Sequence, residues 1–118
     1  MNSPTQRSLK HLREAGWTVC IVEKWIEAAQ KRVDAFGFGD LLACKPPFVD
    51  KDEHINGPQI VLVQTTTMAH MAARKAKIYQ NQQAAIWNKA GGKIILHGWA
   101  KRGPRGKRKL WQVKEEIL

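Results

Sequence analysis

Asp40 follows Phe36-Gly37-Phe38-Gly39 and precedes the apolar stretch Leu41-Leu42-Ala43-Cys44. A carboxylate beside such small residues stands where a ligand can approach the backbone closely. Further along, residues 59–66 read as the clearest strand of the chain. Alternation puts Ile60, Leu62, Gln64 and Thr66 on one face, so two polar side chains leave an apolar strand together at its C-terminal end. With the 40–44 and 59–66 strands paired antiparallel, Asp40 and the Gln64/Thr66 end are neighbours. A carboxylate, an amide oxygen and a backbone carbonyl make a hard-oxygen site that suits magnesium. Bound there, magnesium polarises a phosphodiester and activates a water against it. A plainer reading stands beside this one, with Asp40 capping a turn and Gln64 satisfying nearby backbone.

The elements that must hold these residues are readable in outline. Residues 5–15 suit a helix with Leu9, Leu12 and Ala15 as its apolar stripe, and Gly16 is a C-terminal stop. Residues 17–25 are aromatic and β-branched, which predicts a first strand. A helical turn is expected around 26–30, a short strand over 40–44 ended by Pro46-Pro47, and a loop over 51–58. Residues 68–90 favour helix, with a bend at 80–83 and a stop at Gly91-Gly92. Residues 93–100 and 110–114 then read as a hairpin. The order α-β-β-β-α-β-β predicts a single α/β domain spanning 1–118, a central mixed sheet flanked by helices.

Charge divides the chain. Residues 1–63 carry eight basic and eight acidic side chains, whereas 64–118 carry twelve basic ones against Glu115 and Glu116. The whole +10 excess therefore lies in the second half, where an uncancelled positive field points to a polyanion. Lys101, Arg102, Arg105, Lys107, Arg108 and Lys109 crowd a Gly/Pro loop suited to phosphate contact; a solvated loop serving solubility is the alternative. No run approaches a membrane span and no signal core opens the chain, so a soluble, intracellular protein without a membrane partner is expected. Cys20 and Cys44 lack metal-site spacing and read as buried thiols.

Gly39-Asp40-Leu41-Leu42-Ala43, the strand ending Val63-Gln64-Thr65-Thr66, and Gly91-Gly92-Lys93-Ile94-Ile95-Leu96 together resemble the PD-(D/E)XK nuclease superfamily. The form is most similar to the small archaeal-type and phage Holliday-junction resolvases, and the element order is similar over nearly the whole chain. The resemblance implies a restriction-endonuclease-like fold and a metal-dependent DNA endonuclease selective for DNA structure, working as a homodimer with Mg2+ or Mn2+ on branched or duplex DNA. It further implies the cytoplasm of a prokaryote or of a phage-infected host. By the same resemblance Asp40 binds the metal, Gln64 occupies the second acidic position, and the Thr65 carbonyl completes the ligand set.

Thr66 stands where the family's catalytic lysine belongs, and the early helix glutamate of the resolvases falls near Thr5 or Gln6, with Glu14 the nearest acid. A cation from elsewhere is needed to offset charge on the transition state. His70, Arg74, Lys77 and Asn81 recur on one helix face with Lys75 adjoining. Lys75 and Lys77 are therefore catalytic candidates, and Arg74 joins them as a phosphate contact. Lys45 is a weaker substitute, while Arg32 either pairs with Asp34 or frames a phosphate. The rival function is a nuclease-fold DNA-binding module without catalysis; a basic RNA-binding protein explains the charge alone. Trp25, Trp99 and Trp111 are candidates for stacking on unpaired bases or for a dimer contact, Trp17 and Trp87 for the core. His97 is expected to be a hydrogen-bonded partner rather than a base.

Overall fold

A computed structural model describes residues 3–118. Helix α1 (Pro4–Glu14) begins where the Ser3 hydroxyl accepts a hydrogen bond from the Gln6 N–H at 3.2 Å, with Pro4 in the first turn. It ends at Ala15, after which Gly16 takes a left-handed φ of +90° and turns the chain into β1 (Thr18–Ile21).

The expected first strand is split. β1 stops at Ile21, and Lys24–Ile26 (β2) pairs with Lys31–Val33 (β3) in a separate hairpin. The expected helical turn over 26–30 is the tip of that hairpin, with Gln30 N–H bonding the Glu27 carbonyl at 3.2 Å. A tighter turn follows, in which Ala35 and Gly39 exchange both backbone hydrogen bonds at 2.8 Å. Phe36 and Gly37 both lie at positive φ inside it, which drives Phe38 inward until only 1% of it is exposed. A side chain at Gly39 would strike Leu62 and Ala35, so only glycine lets this turn close against the sheet. β4 (Leu41–Lys45) comes next, and within the expected 51–58 loop Ile55–Asn56 (β6) pairs back with Phe48–Val49 (β5) around an Asp50 turn.

β7 (Gln59–Thr67) leads through a 3-10 turn (Met68–His70) into α2 (Met71–Tyr79) and α3 (Gln82–Lys89). The bend expected at 80–83 is real: Asn81 leaves α2 and caps α3, its Oδ1 accepting from the N–H groups of Gln83 and Ala84. Asn81 therefore does not continue a helix face with His70, Arg74 and Lys77. β8 (Lys93–Arg102) returns parallel to β7, and β9 (Leu110–Ile117) closes the sheet antiparallel to β8.

The result is a five-stranded mixed sheet in the order β1-β4-β7-β8-β9, with only β7 and β8 parallel. Strand alternation sorts the core. Val19, Leu41, Ala43, Val61, Val63 and Ile95 meet Leu9 and Leu12 of α1 on one face, and Leu62 and Ile94 meet Phe38, Ile78 and Ala84 on the other. Helices covering both faces explain why Val61, Leu62 and Val63 of β7 are apolar in succession. The edge is less well covered: Cys20 and Cys44 are both exposed, not buried as expected. Cys20 alternates with Val19, the β1 residue that packs in the α1 core, and so projects from the side α1 leaves bare.

Candidate functional site

Asp40 sits just ahead of β4, its N–H bonded to the Val63 carbonyl at 2.9 Å and its own carbonyl accepting from Val22 and Glu23. The antiparallel register that sets Leu41 opposite Val63 brings Asp40 to the Gln64 end of β7, as the sequence leads one to expect. Three donors converge on one oxygen, Asp40 Oδ2: Gln64 Nε2 at 2.8 Å, the Thr65 N–H at 2.8 Å and Thr65 Oγ1 at 3.1 Å. With its hydroxyl proton directed to Asp40, Thr65 Oγ1 accepts from Thr5 Oγ1 at 2.8 Å, which ties the first turn of α1 to the site.

Two further acids enter the cleft. Carboxylate oxygens of Glu23, Asp34 and Asp40 all lie within 4.8 Å of one another. Burial, chiefly, pushes the Asp40 carboxyl up to about 8; the Thr65 N–H pulls the other way, and Asp34 and then Glu23 raise it further. Such crowding of like charge is costly unless a proton or a cation lies between the groups. The donors are all oxygens of a size and hardness that suit a divalent cation, and Gln64, with Nε2 committed to Asp40, has its Oε1 left to offer. Asp40, Asp34 and Glu23 form one of two groups among the described residues that could hold a metal ion, the other being Asp50, Asp52 and His54 at the β5–β6 turn.

The cleft has a volume of about 190 Å³ and is lined by Pro4, Thr5, Glu23, Asp34, Asp40, Gln64, Thr65 and Arg74. Arg74 also lines a smaller hollow beside it, of about 100 Å³, together with Gln64, Lys77 and Asn81. The first turns of α2 thus bring Arg74 to the acids and Lys77 to the neighbouring wall. Lys75 is held elsewhere, by Glu116 of β9 at 3.0 Å, a pairing that raises the lysine above its ordinary value. Thr66 is buried and does not line the cleft. Arg32 pairs with Glu23 at 2.8 Å rather than with Asp34, so it balances one of the cleft acids instead of facing outward unopposed.

Glu23 and Thr5 were not singled out as ligands by the sequence. Glu23 ends a β-branched run and looks like any solvated strand terminus. The turn at 35–39, flanked by Asp34 and Asp40, is what brings both acids close to Glu23. Thr5 occupies the part of α1 where the resemblance implies a glutamate, and it offers a hydroxyl where that acid would stand.

The basic loop projects between β8 and β9, with Lys101, Arg102, Arg105, Lys107, Arg108 and Lys109 all exposed. His97 is fully buried and bonds Ser8 at 2.9 Å and Glu115 at 2.8 Å, as expected of a structural partner. Trp99 is buried and donates to Ser8, Trp17 packs on the α1 core, and Trp87, on α3, packs against the core of the other face and donates to the Lys93 carbonyl. Trp25 and Trp111 remain about half exposed. Among the described residues no helix is long and apolar enough to cross a membrane.

No protein-family model, curated protein or solved structure matches the chain.

Proposed function

We propose that the protein is a divalent-metal-dependent phosphodiesterase acting on DNA, a small endonuclease of the PD-(D/E)XK type selective for DNA structure. The observation that carries this reading is the convergence of Asp40, Asp34 and Glu23 on one cleft beside Gln64, with Arg74 on its rim. A divalent metal held there supplies Lewis-acid polarisation of a phosphoryl oxygen and acidifies a water.

The chain's own groups do the rest. Asp40 stays oriented because Gln64 and Thr65 fix one carboxylate oxygen, leaving the other for metal. Arg74 offers a permanent positive charge at the cleft, where charge builds up on the phosphoryl oxygens, and so takes over the task of the lysine absent at Thr66. Lys77 extends that positive wall toward the backbone of the bound strand. The uncancelled charge of residues 64–118 supplies the general attraction for DNA, and two copies acting together suit the two-fold symmetry of a four-way junction.

A specific observation favours a second reading, the DNA-binding module without catalysis. Thr66 replaces the expected lysine, and an Asp40 pushed up to about 8 is largely protonated at neutral pH when no metal is present. Labelled four-way junction, flap and linear duplex DNA, incubated with Mg2+ or Mn2+ and with wild type or Asp40→Asn, separate the two. Cutting that needs metal and disappears in Asp40→Asn while binding persists supports the nuclease. Salt-sensitive binding with no cutting in either metal supports the module.

A further inference from the structure

A groove of about 610 Å³, larger than the acidic cleft, lies between α1 and the β8–β9 hairpin. Its floor is the α1-facing side of the β8–β9 hairpin, where the register sets Trp99 against Val113 and Lys101 against Trp111. Its wall is α1, which contributes Arg7, Lys10, His11 and, at the far end, Glu14. The Arg7 guanidinium lies 3.5 Å over the Trp111 ring, and Lys101 approaches the same ring at 5.5 Å. Trp111 nevertheless keeps 45% of its surface exposed, an expensive state for the largest apolar side chain unless something covers it. The loop 103–109, with four of the six crowded cations, opens from the end of the hairpin beside Trp111.

We propose that this groove seats a single-stranded nucleic acid segment, with an unpaired base against the Trp111–Arg7 stack and the phosphates on Lys10, Lys101 and the basic loop. An aromatic platform set in a positive groove is the pairing that single strands need, because every base offers a flat face and every nucleotide a charge. Duplex DNA hides its base faces in the stack and gains nothing from Trp111. Stacking and phosphate contact read strand character, not sequence. The groove shares α1 with the acidic cleft, which Pro4 and Thr5 line within the same first turns as Arg7. An unpaired strand held in the groove therefore lies next to the site proposed to cut, which selects flaps, forks and junction arms over plain duplex. The binding site itself does not depend on the nuclease reading.

The test is fluorescence anisotropy of a labelled mixed-sequence single strand and of a blunt duplex of equal length, in EDTA so that no cleavage intervenes. Wild type is compared with Trp111→Ala, Trp111→Leu and, as an exposed aromatic away from the groove, Tyr79→Ala, each checked by circular dichroism for an unchanged fold. Both Trp111 variants should bind the single strand about tenfold more weakly, the loss expected of one base–aromatic stack. Their duplex affinity should be unchanged, and Tyr79→Ala should match wild type on both ligands. Quenching of tryptophan emission by the single strand should disappear with Trp111. Equal losses on single strand and duplex, or single-strand affinity untouched in both folded Trp111 variants, would overturn the proposal. Either result leaves the metal-dependent cleavage assay to be read separately.

Discussion

The Thr5 hydroxyl meets the Thr65 hydroxyl at 2.8 Å, and Thr65 in turn donates to Asp40 Oδ2 at 3.1 Å. The first turn of α1 thereby orients the carboxylate without adding charge. Thr5→Val should lower metal-dependent cleavage while costing about 1 kcal/mol of stability, the usual value of one hydrogen bond lost from a buried pair. Thr5→Ser, which keeps the hydroxyl, should restore the rate. Single-turnover cleavage and urea melts of the two variants check this.

Asp40 gives the apoprotein a pH signature. Its carboxyl is raised to about 8 in the folded chain against an ordinary 3.8, chiefly by burial. The folded state thus holds the proton more tightly, so the stabilising contribution is complete below about pH 4 and is lost as pH climbs toward 8. Between those limits stability should fall by up to roughly 1.4 kcal/mol per pH unit from this group. Asp40→Asn should flatten that slope and be the more stable protein at pH 8 in EDTA. Thermal melts across the range decide, and equal slopes for the two proteins would remove Asp40 as the cause.

Arg74 and Lys75 are sequence neighbours with different surroundings. Arg74 lines the acidic cleft, whereas Lys75 is tied to Glu116 on β9. Arg74→Ala should lower the cleavage rate by about 100-fold, on the scale of removing one charge-stabilising group from a transition state. Lys75→Ala should change it by a factor of a few. The rates of both variants at saturating DNA make the comparison.

The residues that carried the site were legible because antiparallel pairing follows from short strands and glycines: Asp40 and Gln64 are brought together by the β4–β7 register. What local pattern could not show is what the chain does between β1 and β4. Residues 17–25 look like one strand, yet the sheet uses only Thr18–Ile21, and the following β2–β3 hairpin is too short to leave a periodic trace. That hairpin and the 35–39 turn deliver Asp34 beside Glu23, so the second half of the acidic cluster is a product of tertiary folding. The exposed cysteines follow the same logic. Burial at Cys20 and Cys44 depends on which face α1 covers, and no property of the residues reveals it. Lys75 shares a helix with Arg74 but is captured by β9, which lies far away in sequence.

His97 joins α1 to the sheet edge through a continuous chain: Trp99 Nε1 donates to Ser8 Oγ, Ser8 Oγ bonds His97 Nδ1 at 2.9 Å, and His97 Nε2 bonds Glu115 at 2.8 Å. The His97 hydrogen bond holds the Glu115 carboxyl below its ordinary value. A lowered carboxyl stabilises above the unfolded value of 4.5 and loses that contribution as pH falls through the folded one. Glu115→Gln should therefore melt at a lower temperature than wild type at pH 7, and the gap should close on acidification to about pH 3. His97→Phe removes the ring nitrogens while keeping bulk, leaving Glu115 and Ser8 without their His97 partner, and should cost about 2–4 kcal/mol. Because Arg7 lies one residue before Ser8, the same change should also weaken single-strand binding in the Trp111 groove at pH 7. Chemical denaturation and anisotropy on one preparation read both effects, and a His97→Phe protein as stable as wild type would show that α1 is held by its apolar contacts with the sheet instead.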